Sequence, residues 1–194
     1  MKAFKGYDDA KVYGQTAKLP VGGYVLKILK AEVEDGTNGM DDSLKISFDI
    51  AEGEHTGFYA DNYKNQTQED KKWKGTVYIR IPNDDNKPED QWIRDRFRTF
   101  TYAVEDSNDG YHWDWDEKKL KNKLIGGVFN EKEYNFNGRT GFFTRLQQKN
   151  IIPADNIRNN EFTIPDRELL DGSKEKATDD FVPVPDGTDE DVPF

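Results

Sequence analysis

Residues 44–50 read Leu44-Lys45-Ile46-Ser47-Phe48-Asp49-Ile50, with an apolar side chain at every even position and a polar one between. A period of two places Leu44, Ile46, Phe48 and Ile50 on one face of an extended chain, the pattern of a strand with one buried face. Upstream, Tyr24-Val25-Leu26-Lys27-Ile28-Leu29-Lys30-Ala31-Glu32-Val33 is a β-rich run entered through Gly22-Gly23. Residues 34–42 between the two runs are rich in Gly, Asn and Asp, so a hairpin connection is expected. Downstream, Val77, Ile79 and Ile81 alternate with Thr76, Tyr78 and Arg80, predicting a third strand that Pro82 ends.

A different period follows. From Pro88, well suited to a helix start, Ile93, Phe97, Phe100 and Val104 recur at four, three and four residues and so share one helical face. A shorter helical turn is expected at 116–120. Residues 124–136 and 139–146 then read as two strands joined by Asn137-Gly138, the dipeptide that favours a type I′ hairpin turn. The predicted order is strand, strand, strand, helix, strand, strand. This is a mainly β chain with one principal helix, and it suggests the five-stranded Greek-key barrel called the OB-fold, a frequent oligonucleotide binder. Periodicity fades beyond about residue 150. Residues 1–170 are expected to form the folded domain and 171–194 a disordered acidic tail with little to bury.

Composition narrows the function. The chain of 194 residues has no Cys, which removes disulfides, thiolate zinc sites and cysteine nucleophiles. Its hydrophobic fraction is only 34%, but 13% of residues are aromatic, so the core is expected to be aromatic. No apolar run matches a signal peptide or a membrane span, and a cytoplasmic location is expected. The net charge of -10 weighs against a general affinity for nucleic acid. Residues 171–194 carry eight acids and two lysines, so the rest of the chain holds a net charge of only -4. A phosphate-binding site must then be a local patch.

The chain ends Asp189-Glu190-Asp191-Val192-Pro193-Phe194. An apolar pocket rimmed by Lys or Arg suits such an end, taking the Phe194 ring and clamping its free carboxylate while the acids add long-range attraction. The hexapeptide resembles the C-terminal peptide of bacterial and phage single-stranded DNA-binding proteins, which typically ends in several Asp residues followed by Ile-Pro-Phe. Here Val192 replaces Ile, and Glu190 one Asp. The resemblance implies recruitment of replication and recombination proteins, with Asp191, Pro193 and Phe194 as contact residues. Two internal phrases, Gly110-Tyr111-His112-Trp113-Asp114-Trp115 and Asn135-Phe136-Asn137-Gly138-Arg139-Thr140-Gly141, resemble proteins of phages and prophages of Gram-positive bacteria, which implies a bacterial host cytoplasm.

Single-strand binding without sequence preference needs cations for phosphates and flat rings for bases. Lys71, Lys72, Trp73 and Lys74 lead into Tyr78 and Arg80 on the outer face of the third strand, the best local patch. In the last hairpin a two-residue turn pairs Phe136 with Arg139, so Tyr134, Phe136, Arg139, Phe143 and Arg145 share one face unless a bulge intervenes. These hairpin aromatics suit a stacking platform and a barrel core equally well. Trp73, set between lysines, fits a core less easily. Of Trp113 and Trp115, at least one is expected to cap the core. Arg94, Arg96 and Arg98 are expected to pair with Glu89, Asp90 or Asp95 on a solvated helix face.

Catalytic signatures are sparse. His55 and His112 are the only histidines, and neither a zinc-protease pattern nor a phosphate-binding glycine loop occurs. A non-enzymatic single-stranded DNA-binding protein without a cofactor is the leading expectation. Two alternatives remain: an adaptor that engages host repair proteins through the tail alone, and a Mg²⁺-dependent nuclease built on Asp41-Asp42, Asp84-Asp85 or Asp114-Asp116-Glu117. Homo-oligomerisation is left open.

Overall fold

A computed structural model describes residues 18–36, 41–84 and 87–170. The tail residues 171–194, with their proposed contact residues, lie outside the described residues. The protein is mainly β. Five antiparallel strands form one sheet, β1 (Gly22–Glu34), β2 (Ser43–Ile50), β3 (Thr76–Arg80), β4 (Leu124–Phe136) and β5 (Arg139–Ile152), in the order β3-β2-β1-β4-β5. Three α-helices accompany them: α1 (Phe58–Lys64), α2 (Gln91–Asp106) and α3 (Ala154–Arg158). Pro88–Asp90 and Glu117–Leu120 form short 3-10 turns.

The strand β1 is long enough to serve two partners. Its first half, Gly22 to Lys27, pairs with β4, and its second, from Leu26, pairs with β2. Between Ile28 and Lys30 the register with β2 shifts by one, so Leu29 is the extra residue of a bulge. A bulge bends a strand and strengthens its twist, which lets one sheet coil around its own core. The inward set changes there from Leu26 and Ile28 to Ala31. Inward-facing residues of β2 and β3, the aromatic Phe48, Phe100 and Phe129, and Ile93, Phe97 and Val104 of α2 fill the interior. The helix α2 lies between β3 and β4 in sequence and packs against β3, β4 and β5.

This arrangement is compatible with an OB-like barrel that is not closed. Among the described residues no backbone ladder joins β3 to β5. The two strands lie close, and the Arg80 backbone N–H donates to Gln148 Oε1 of β5 at 3.3 Å.

The strand β5 runs six residues past its predicted end, and two short helices also escape the sequence reading. The first, α1, is held by Asp49, a carboxylate of β2 that is buried although it is out of phase with the inward Phe48 and Ile50. Its Oδ1 accepts from the backbone N–H of Ile50 (2.8 Å) and Tyr59 (2.9 Å), and Oδ2 from that of Ala60 (3.0 Å). These bonds satisfy early donors of a seven-residue helix that would be marginal alone. The second, α3, packs Ala154 and Ile157 onto Val25 and Val128, a small cluster on the outer side of the sheet. Gly126 makes room for it, since a Cβ there would lie 2.7 Å from the Pro153 carbonyl and 2.8 Å from Ile157. Beyond α3 the chain returns along the far half of β4, where Glu133 N–H donates to Glu168 O and Glu168 N–H to Glu131 O, both at 2.8 Å.

Candidate nucleic-acid groove

A groove of about 1060 Å³ runs along the unclosed side of the barrel. One wall is β3 and its approach, with Lys74, Thr76 and Tyr78; the other is β5 and its hairpin, with Tyr134, Phe143, Arg145 and Lys149. Lys18 and Arg96 complete the cationic lining, and Phe48, Phe58 and Tyr59 reach its floor. The lining therefore holds five cations, seven aromatic rings and no carboxylate. In a chain of net charge -10 this is a marked segregation, and it is a local cationic patch of the kind that phosphate binding would require.

The side chains differ in how free they are. Lys74, Arg96 and Lys149 form no ion pair with a described residue. Lys18 is paired with Glu131 at 2.5 Å, and Arg145 with Glu168 at 3.5 Å. The lysine contact holds the Glu131 carboxyl below its ordinary pKa, so it stays charged through mild acid. Burial, with the Asp49 charge second, pushes the Tyr59 phenol upward, so the floor carries a neutral hydroxyl. Arg145 Nε and Gln148 Nε2 are buried donors without a partner among the described residues, polar capacity that the fold leaves unused.

The two predicted patches meet in this groove only in part. Lys74 and Tyr78 line it, and Tyr78 is 50% exposed. Lys71 instead donates to the Lys64 carbonyl and lies over the Tyr63 ring, and Lys72 pairs with Asp70 at 3.4 Å. Trp73 turns inward. Its indole N–H is shared between the Phe48 and Gly75 carbonyls at 3.2 and 3.0 Å, and its ring packs on the core. The neighbouring lysines do not govern this ring, because a Trp that can bury its surface and satisfy its N–H does both. Arg80 points out of the groove, with its guanidinium over the Trp92 ring.

The hairpin keeps its expected register, Phe136 opposite Arg139, Tyr134 opposite Gly141 and Lys132 opposite Phe143. Asn137 (φ 51°) and Gly138 (φ 76°) supply the two left-handed residues of the turn. The question of core or platform resolves at the tip. Tyr134 is 41%, Phe143 42% and Phe136 70% exposed, so none is core. The Tyr134 and Phe143 ring centroids are 6.3 Å apart, and Tyr134, Phe143 and Arg145 all line the groove. Phe136 and Arg139 stand at the hairpin end, outside that lining.

Sequence reasoning missed Lys18, Arg96 and Lys149. Lys149 lies in Gln147-Gln148-Lys149-Asn150, whose polarity hides the end of β5. The sequence places Arg96 with its neighbours on an ion-paired helix face, but the three arginines part company. Arg98 pairs with Glu105 (2.9 Å), Arg94 donates to Gln91 and the Lys87 carbonyl, and Arg96 lies over Trp92. Trp113 packs on the core, as expected for one of the pair, and Trp115 stacks on Phe97 while staying exposed.

Two of the acid clusters make local contacts, and Asp85 of the third lies outside the described residues. Asp41 accepts from Asn83, Asp42 from the Gly36 N–H, and Asp114 pairs with Lys119. Among the described residues no three His, Asp or Glu side chains converge to hold a metal ion. No helix among them is long and apolar enough to cross a membrane. No protein-family model matches the chain, and no curated protein matches its sequence.

Proposed function

We propose that the protein binds single-stranded DNA in the groove between β3 and β5, without catalysis, and presents its acidic C-terminal peptide to replication or recombination proteins of a bacterial host. The observation that carries the first half is the lining: cations and exposed rings interleaved, with no carboxylate, in an acidic chain. Phosphates of a flexible strand need the cations, and its unstacked bases need the rings, each stacked base contributing roughly 1–3 kcal/mol. A duplex offers no free base faces to Tyr78, Tyr134 and Phe143. The second half rests on the sequence of the last six residues and on the physics of an acidic peptide with a terminal ring.

Titration of labelled oligo-dT with the full chain, with and without Mg²⁺, tests this reading. Binding and protection in both conditions support it. Absence of binding leaves the tail-only adaptor, and Mg²⁺-dependent cleavage the nuclease.

A further inference from the structure

At the margin of the groove, the helix α2 holds a feature that core packing does not require. Ile93, Phe97, Phe100 and Val104 form its buried stripe. Trp92 and Arg96, four residues apart, occupy a neighbouring stripe and so stack along the helix surface. Trp92 remains 40% exposed. The Arg96 guanidinium lies 4.8 Å from the Trp92 ring centroid, and that of Arg80, the last residue of β3, lies 5.1 Å from the same centroid. Both arginines are exposed, and neither is ion-paired with a described residue.

The two guanidiniums are at most about 10 Å apart, about one Debye length at 0.1 M salt, so a weak and partly screened repulsion acts between them. The ring quadrupole offsets part of that repulsion. A phosphodiester would offset much more, and a guanidinium drawn from the ring onto that phosphate would free an indole face for one base. Arg96 also lines the groove, so the cluster continues the groove's cationic track instead of standing apart from it.

We propose that Arg80, Trp92 and Arg96 form a second nucleotide station, taking one base on the indole and its flanking phosphates on the guanidiniums, where the strand leaves the groove past the end of β3. This rests on the single-strand-binding reading. The consequence is a dependence on length: a short oligonucleotide fills the groove alone, and a longer one gains the station.

The test compares fluorescein-labelled oligo-dT of increasing length on the full-length wild type, Trp92→Ala and Trp92→Phe. For the wild type, affinity should rise with length and then level off. Trp92→Ala should bind the shortest retained oligonucleotide within about twofold of wild type and bind the longer ones about 5- to 150-fold more weakly, the range for one stacked base. Trp92→Phe should restore most of the gain. Arg80→Gln, outside the groove lining, should lower the salt slope for long oligonucleotides alone by about 0.7, the value for one phosphate on a single strand. Wild-type affinity of Trp92→Ala at every length overturns the station, as does an equal loss at every length. Failure of the wild type to bind any oligonucleotide is distinct from both, because it removes the groove reading and the station with it.

Discussion

Removing Lys74 and Lys149 from the groove should change the salt dependence of DNA binding by an amount that the structure sets. Of the five lining cations, Lys74, Arg96 and Lys149 are unpaired with described residues, whereas Lys18 and Arg145 must first release Glu131 and Glu168. Three phosphate contacts imply a slope of log K against log salt near -2, and five near -3.5, at about 0.7 per contact on a single strand. Between 50 and 200 mM salt, that corresponds to a loss of about 15- to 130-fold in affinity. The double variant Lys74→Gln with Lys149→Gln should reduce the slope by about 1.4 and weaken binding evenly across sequences. Both side chains are exposed, so folding should be little affected. Fluorescence anisotropy on oligo-dT at four or five salt concentrations measures the slope directly. An unchanged slope in the double variant would refute the placement of phosphates in this groove, even if the protein still bound DNA.

Other outcomes follow from single features. Tyr78→Ala and Phe143→Ala should each weaken oligo-dT binding by about 5- to 150-fold, while Trp73→Ala should act mainly on thermal stability, because its ring is packed and its N–H bonded. Asp49→Ala should cost about 3 kcal/mol in denaturant unfolding, since three backbone donors lose a buried charged acceptor, and Asp49→Asn should cost less. Glu105 is held below its ordinary pKa by the Trp113 N–H first and Arg98 second. Its contribution to stability is therefore complete above the ordinary carboxylate range and lost as pH falls through the lowered value. In Glu105→Gln the unfolding midpoint should fall less steeply below about pH 5 than in wild type. If the acidic tail competes for the cationic groove by charge attraction, deletion of 186–194 should raise oligonucleotide affinity at low salt and leave it unchanged at high salt; no change at low salt would rule that competition out.

The elements with strong periodicity were legible in the sequence, as were their faces. Leu44 to Ile50, Val77 to Ile81, the Ile93 to Val104 stripe and the Asn137-Gly138 turn all announce themselves through spacing or local conformational preference, and they suffice for the mainly β class. What escaped was held by long-range contacts. The helix α1 exists because Asp49, on the preceding strand, accepts from its first N–H groups; α3 because Gly126 leaves space; the end of β5 because Ile151, beyond the polar run Gln147 to Asn150, is buried. The candidate site was half legible for the same reason. Rings and cations could be read off the chain, but which of them meet depends on β3 and β5 approaching from opposite ends of the sheet. Trp73 and Lys149 changed importance on that account, one gaining a packing role and the other a place in the groove.

The unclosed barrel has one further cost and its remedy. Among the described residues β3 and β5 each keep one edge without a strand partner, and such edges invite edge-to-edge association with a second copy, the usual route to aggregation. Here both edges carry positive side chains, Lys74 and Arg80 on one side and Arg145 and Lys149 on the other, so two copies meeting along these edges would bring like charges together. The groove cations Lys74, Arg145 and Lys149, which on the proposed reading would draw phosphate in, would then also guard these edges against the protein itself. A variant stripped of them should lose solubility together with its ligand.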